Sequence, residues 1–205
     1  MSWQTKLRYL IVPGLRSSGP GHWQTHWERA LGASRVEQAD WNTPDLERWS
    51  AQVVAAVNPD PRPVVLIAHS FGTLASVHAL RRVAPKVRGL LLVAPAAPEK
   101  FGITRLLPQA PLGIPSILVG SQSDPWLSQS RARALAATWD SEFLSLGDAG
   151  HVNTDSGYGP WADGLNLLER LEAKHESPRP LPRRSREARP GFTTPAVAQA
   201  AGFAW

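Results

Sequence analysis

Short, continuous apolar runs alternate with longer amphipathic stretches over the first 175 residues. The runs Arg8–Val12, Pro63–Ala68, Gly89–Val93, Pro115–Val119 and Glu142–Leu146 are rich in Val, Ile and Leu, and most end at a glycine or proline. Apolar runs of this length suit strands covered on both faces, as in a parallel sheet. A weaker run, Ser34–Gln38, reads as a further strand. Between the runs, Pro44–Val57 sets Leu46, Trp49, Val53, Val54 and Val57 on one helical stripe, with Pro44 in the permitted first turn. Thr73–Val83, Pro125–Thr138 and Pro160–Ala173 also read as helices, the last with Leu165, Leu168 and Leu171 on its apolar face. Strands alternating with helices predict βαβ units and an open, mostly parallel six-stranded sheet with helices on both faces. No internal repeat of fixed period is present.

The pattern stops after Lys174. Ser177–Pro190 holds four prolines and the five arginines Arg179, Arg183, Arg184, Arg186 and Arg189. Proline forbids a continuous helix, so residues 176–205 read as a solvated, disordered tail on a catalytic domain spanning 1–175.

Composition narrows the chemistry. Apolar residues make up 42% and charged residues 19%, a globular balance. Cysteine is absent, which removes disulfides, cysteine-bound metals and a thiol nucleophile. No apolar run approaches the ~18 residues of a membrane span, nor the core of a secretory signal, so the expectation is a soluble cytoplasmic protein. The net charge of +5 owes more to the tail than to the body, which argues against specific nucleic-acid binding. Arginine far outnumbers lysine, a hint of a GC-rich bacterial source.

The sharpest local signal is Ala68-His-Ser-Phe-Gly72, placed directly after one apolar run and before a helical pattern. A serine at a tight strand-to-helix corner, flanked by small residues, is the context of a nucleophile elbow; here Ala68 stands where glycine is usual. The bland reading is an ordinary βα turn with a serine cap. A serine nucleophile needs a base and an orienting carboxylate. Asp124 follows the run ending at Val119, and His151 follows the run ending at Leu146, each where open parallel sheets place their sites. The order Ser70, Asp124, His151 is that of α/β-hydrolases. Asp148 is the rival carboxylate, close to His151 in sequence but without a strand of its own to carry it to the far side of the ring. His69, Ser121 and Ser123 read as neighbours.

An oxyanion hole needs two backbone donors. The N–H of Phe71 is one candidate, and that of Leu15, after Gly14 in the Val12–Gly21 loop, is the other. That loop lacks the G-x-G-x-x-G and G-K-[ST] patterns of nucleotide sites. In Gly21–Trp27, His22 and His26 have zincin spacing, but Trp23 occupies the place of the required glutamate, so no metal is assigned and no cofactor is called for. Gly14, His22 and Trp23 are expected to line the substrate site.

These motifs carry a resemblance. V-P-G at Val12–Gly14, G-H-W-Q-T-H-W-E at Gly21–Glu28, D-W-x-x-P at Asp40–Pro44, A-H-S-F-G, S-D-P at Ser123–Pro125 and G-H-V-N at Gly150–Asn153 resemble the small serine hydrolases related to retinoblastoma-binding protein 9. The resemblance covers residues 8–172 and implies a reduced α/β-hydrolase fold without a large cap domain, and a Ser70–Asp124–His151 triad. Two functional classes follow: hydrolysis of small-molecule esters or amides, or non-catalytic binding on a hydrolase fold. Pocket binding through L-x-C-x-E is excluded by the absence of cysteine.

Overall fold

A computed structural model describes residues 7–176. The readings made for the Pro/Arg-rich tail beyond residue 176 lie outside the described residues. Six strands, β1 (Arg8–Val12), β2 (Ser34–Arg35), β3 (Val64–His69), β4 (Val87–Val93), β5 (Ser116–Gly120) and β6 (Glu142–Ser145), form one sheet in the order β2-β1-β3-β4-β5-β6. Every pairing is parallel. The sheet is thus wholly parallel, and each predicted run is found as a strand.

Successive side chains along a strand face opposite sides, and here both sides are buried. Leu10, Val12, Leu66, Ala68, Leu90, Leu92 and Leu118 face α2 (Leu46–Val57), α3 (Phe71–Val83) and α4 (Gln129–Trp139). Ile11, Val65, Ile67, Leu91, Val93, Ile117 and Val119 face α1 (Trp23–Leu31) and α5 (Leu165–Glu176). This two-sided burial explains why the runs are continuous rather than alternating. The connections after β4 and after β6 are long but carry only short 3-10 turns, and among the described residues no separate cap domain covers the carboxyl edge of the sheet. No described helix is long and apolar enough to cross a membrane.

The boundaries differ from expectation where side chains compete with the helix. α2 begins at Leu46 rather than Pro44, because the Asp45 carboxylate caps it by accepting from the Arg48 N–H at 3.0 Å. α4 begins at Gln129 rather than Pro125, because the Asp124 carboxylate accepts from the Trp126 N–H at 2.9 Å and turns the chain there. The last helix starts at Leu165, after Trp161 breaks the backbone with a φ of 41°. The Ser34–Gln38 run pairs only at Ser34 and Arg35, with one further bond from the Val36 N–H to the Ile11 carbonyl.

α5 closes its face of the sheet through Leu168 and Leu171, and Leu171 rests directly over Gly89 of β4. A Leu171→Ala substitution removes a fully buried side chain from a site that the rigid sheet cannot collapse to fill. It is expected to lower the unfolding free energy by about 2–5 kcal/mol, read as a reduced urea midpoint at constant m-value. An unchanged midpoint would show that α5 contributes little to the core.

Candidate active site

Ser70 is the single residue between β3 and α3, with φ 53° and ψ −125°. A side-chain-bearing residue held there costs about 1–3 kcal/mol, so the surroundings must impose it. The Ser70 N–H donates to the Val93 carbonyl at 3.1 Å, and the Ser70 carbonyl accepts from the Thr73 N–H and hydroxyl at 3.1 and 2.7 Å. α3 then runs so close to the end of β1 that a Cβ on Gly72 would collide with the Val12 and Pro13 carbonyl oxygens. This is the physical demand for a residue without a side chain at that position.

Two loops from the same sheet edge meet the serine. His151 Nε2 lies 2.9 Å from Ser70 Oγ, and His151 Nδ1 lies 3.0 and 2.9 Å from the two Asp124 carboxylate oxygens. Asp124 and His151 are both buried. The His151 loop turns through Gly150 and Val152, with φ values of 51° and 49°. Its anchors are the Ala149 N–H on Ser121 Oγ and the His151 N–H on Ser156 Oγ, at 3.0 and 3.1 Å. Asp148 does not reach the imidazole; it accepts from the Ser123 hydroxyl and so ties the loop after β6 to the loop after β5. A hydroxyl, imidazole and carboxylate in this sequence can pass the serine proton to the ring as the oxygen attacks an electrophile.

The Gly21–Glu28 segment acts beneath the site. His22 is the N-cap of α1 in an extended conformation, so His22 and His26 do not share a helix face as their spacing suggests. No group of three or more potential metal-ligating side chains exists among the described residues. Trp23, expected to line the site, is instead fully buried against Trp27 and Trp161. As the first residue of α1 it falls on the inner face, where its indole N–H donates to the Val152 carbonyl at 2.8 Å, one residue past His151. The buried Gln24 amide donates to the Ile67 and Val12 carbonyls at 3.0 and 3.3 Å, and its oxygen accepts from the Ser18 hydroxyl at 2.6 Å. It therefore pins the ends of β3 and β1 to the loop between β1 and α1. His69 donates from Nε2 to the His151 carbonyl at 2.9 Å. Sequence reasoning missed these roles of Gln24 and His69; their places inside the Gly21–Glu28 and Ala68–Gly72 motifs were the available signals.

A cavity of about 560 Å³ opens over Ser70. His22 and Leu15 line it, together with Arg16, Lys100, Phe101 and Trp126, which the sequence did not single out. Gly14 is not on the cavity wall: a Cβ there would sit 2.6 Å from Ser70 Cβ, so this glycine makes room for the serine rather than for a ligand. Among the described residues, neither the Leu15 nor the Phe71 N–H donates to a protein acceptor.

A wholly parallel sheet with helices on both faces and a strained serine at the β3–α3 corner defines the α/β-hydrolase class. The sequence profile of the Serine hydrolase family matches residues 9–170, and the chain belongs to this family, with a hydrolytic function. A YdeN-like hydrolase from Pectobacterium atrosepticum is 39% identical, with a TM-score of 0.80 over 83% of this chain and 92% of its own. The ydeN gene product of Bacillus subtilis has the same fold at 21% identity and a TM-score of 0.65, over 82% of this chain and 100% of its own. So does a thermophilic esterase from Thermogutta terrifontis, at 15% identity and a TM-score of 0.62 over 84% and 92% of the two chains. No curated protein matches the sequence.

Three imidazoles line up in the site, with His69 4.9 Å from His22 and 4.8 Å from His151 between ring centroids. Burial, then the charges of Arg35 and His151, lowers the His22 pKa from 6.5 to about 4. Burial foremost, then the neighbouring imidazoles, holds His69 well below the ordinary range. Both rings are neutral at pH 7, consistent with His22 Nδ1 accepting from the Gln24 N–H at 3.2 Å. The unfolded chain takes up these protons near pH 6.5 and the folded chain only at lower pH. The stabilisation is therefore complete above about pH 6.5 and is lost as pH falls toward 4. Urea midpoints should accordingly drop below pH 6.5, each histidine contributing up to about 1.4 kcal/mol per pH unit. His22→Asn keeps a capping oxygen and should flatten that slope by one proton; an unaltered slope would place the loss elsewhere.

Proposed function

We propose that this protein is a serine hydrolase that cleaves small carboxylic esters or amides through an acyl-enzyme intermediate, with Ser70 as nucleophile, His151 as general base and acid, and Asp124 as the orienting carboxylate. The observation that carries this reading is the continuous hydrogen-bonded chain from the strained Ser70 through His151 to buried Asp124, at the floor of an open cavity. The motif resemblance to retinoblastoma-binding protein 9 relatives supports it, and the bacterial sources of the YdeN-like proteins suit a bacterial enzyme. No metal or cofactor enters the scheme.

Ser70 Oγ attacks the carbonyl carbon while its proton passes to His151 Nε2, and the carbonyl electron pair moves onto oxygen. The Leu15 and Phe71 N–H groups receive that oxyanion, Phe71 at the favourable N-terminal end of α3. Collapse breaks the bond to the alcohol or amine, which leaves with the proton from His151. Water then attacks the acyl-enzyme with His151 again as base, releasing the acid and restoring Ser70. Asp124 keeps the Nδ1 proton in place and stabilises the imidazolium.

Intact-mass analysis after fluorophosphonate treatment is expected to show one adduct, mapping to Ser70; no adduct on folded protein, or an adduct on another serine, overturns the assignment. Ser70→Ala and His151→Ala should each lower ester turnover by roughly 10³–10⁶-fold. Asp124→Asn should cost up to ~10⁴-fold through the wrong tautomer, whereas Asp148→Asn, which loosens only the Ser123 contact, should change turnover little. If Asp148→Asn were the more damaging aspartate change, the carboxylate would be reassigned.

A further inference from the structure

The cavity over Ser70 is lined by two side-chain cations, Arg16 and Lys100, and one carboxylate, Asp155. Among the described residues, neither cation forms an ion pair or donates from its side chain to a protein acceptor. The carboxylate nearest to Lys100 in sequence, Glu99, is already engaged by Arg131 at 2.8 Å. Asp155 belongs to the 154–156 turn, which packs on Gly21 beside α1, whereas Lys100 comes from the segment that follows β4.

Both cationic residues are exposed; the Lys100 ammonium is held over an aromatic ring, and the Arg16 backbone is fixed at the rim of the cavity. The Lys100 ammonium lies 5.1 Å from the centroid of the Trp126 indole, itself an exposed aromatic on the same cavity wall. Arg16 directly follows Leu15, its backbone is left-handed with φ 66°, and its N–H donates to the Trp41 carbonyl at 2.8 Å. The positive end of α3 adds to the same field. A neutral substrate filling this cavity would leave the two cations without a counter-charge; an anionic one would supply an ion pair.

Resting on the hydrolase reading above, we propose that the ester or amide cleaved at Ser70 carries an anionic group, a carboxylate or phosphate, received by Arg16 and Lys100. The cations then set specificity and speed encounter, while the Ser70 chemistry is unchanged.

Two pairs of phenolic esters, each pair differing by one methyl group, test this. 4-Nitrophenyl hydrogen adipate against its methyl ester puts the charge on the acyl side, and 3-acetoxybenzoate against its methyl ester puts it on the leaving group. At low salt the anionic member of at least one pair should have a kcat/KM about tenfold higher than its neutral partner. That ratio should fall several-fold in 0.5 M NaCl, where screening is strong, and should approach one in the double variant Arg16→Gln/Lys100→Gln, with each single change lowering it about two- to fivefold. Arg105→Gln removes a cation that does not line the cavity and should leave the ratio in place. Ratios at or below one in both pairs, or a ratio unmoved by the double variant, overturn the inference while Ser70-dependent turnover leaves the hydrolase reading standing. Absence of Ser70-dependent turnover of all four esters overturns that reading, and this inference with it.

Discussion

The contact between the first turn of α3 and the end of β1 governs the arrangement of the site. Gly72 allows the helix to press against the Val12 and Pro13 carbonyls, and Gly14 allows the next loop to press against Ser70. With the helix that close to the sheet, one residue must reverse the chain between β3 and α3, and Ser70 takes a backbone conformation that its bonds to Val93 and Thr73 help sustain. The strain and the exposure of the hydroxyl have one cause. A side chain at Gly72 would push α3 outward and with it both the serine and the Phe71 N–H.

The second constraint is polar. Three loops carry the site, and buried hydrogen bonds tie each to the sheet or to another loop: Gln24 to the ends of β1 and β3, Trp23 and His69 to the backbone around His151, and Ser121 to the loop after β6. Each such bond spans many residues of chain, and leaving its partner unsatisfied would cost about 1–3 kcal/mol. Geometry near 3 Å between Ser70, His151 and Asp124 thus depends on side chains outside that hydrogen-bonded chain. Most of the Gly21–Glu28 motif belongs to this supporting layer, which is why Trp23 misleads when read as a site-lining group, whereas His22 reaches the cavity. The neutral state of His22 and His69 belongs there too, since a proton on His22 Nδ1 would break the cap on α1.

Much of the fold was legible because both faces of a parallel sheet are buried: runs such as Pro63–Ala68 and Pro115–Val119 suit covered strands, and their alternation with apolar-striped helices points to crossover connections. The elbow was legible because a serine between a strand and a helix needs small neighbours, and Ala68 and Gly72 supply them. Asp124 and His151 could be singled out because each follows a strand at the same sheet edge. What sequence could not convey was direction. Whether Trp23 faces a cavity or the core, whether Gly14 borders a ligand or Ser70, and whether Asp148 meets His151 or Ser123 depend on where loops distant in sequence converge. Helix starts at Leu46 and Gln129 were likewise set by individual aspartate carboxylates competing for backbone N–H groups. Local chemistry along the chain therefore determined the elements, their order and the three positions that meet at the sheet edge. Only the tertiary structure decided which side chains line the cavity and which brace it, because that division follows from burial between segments far apart in sequence.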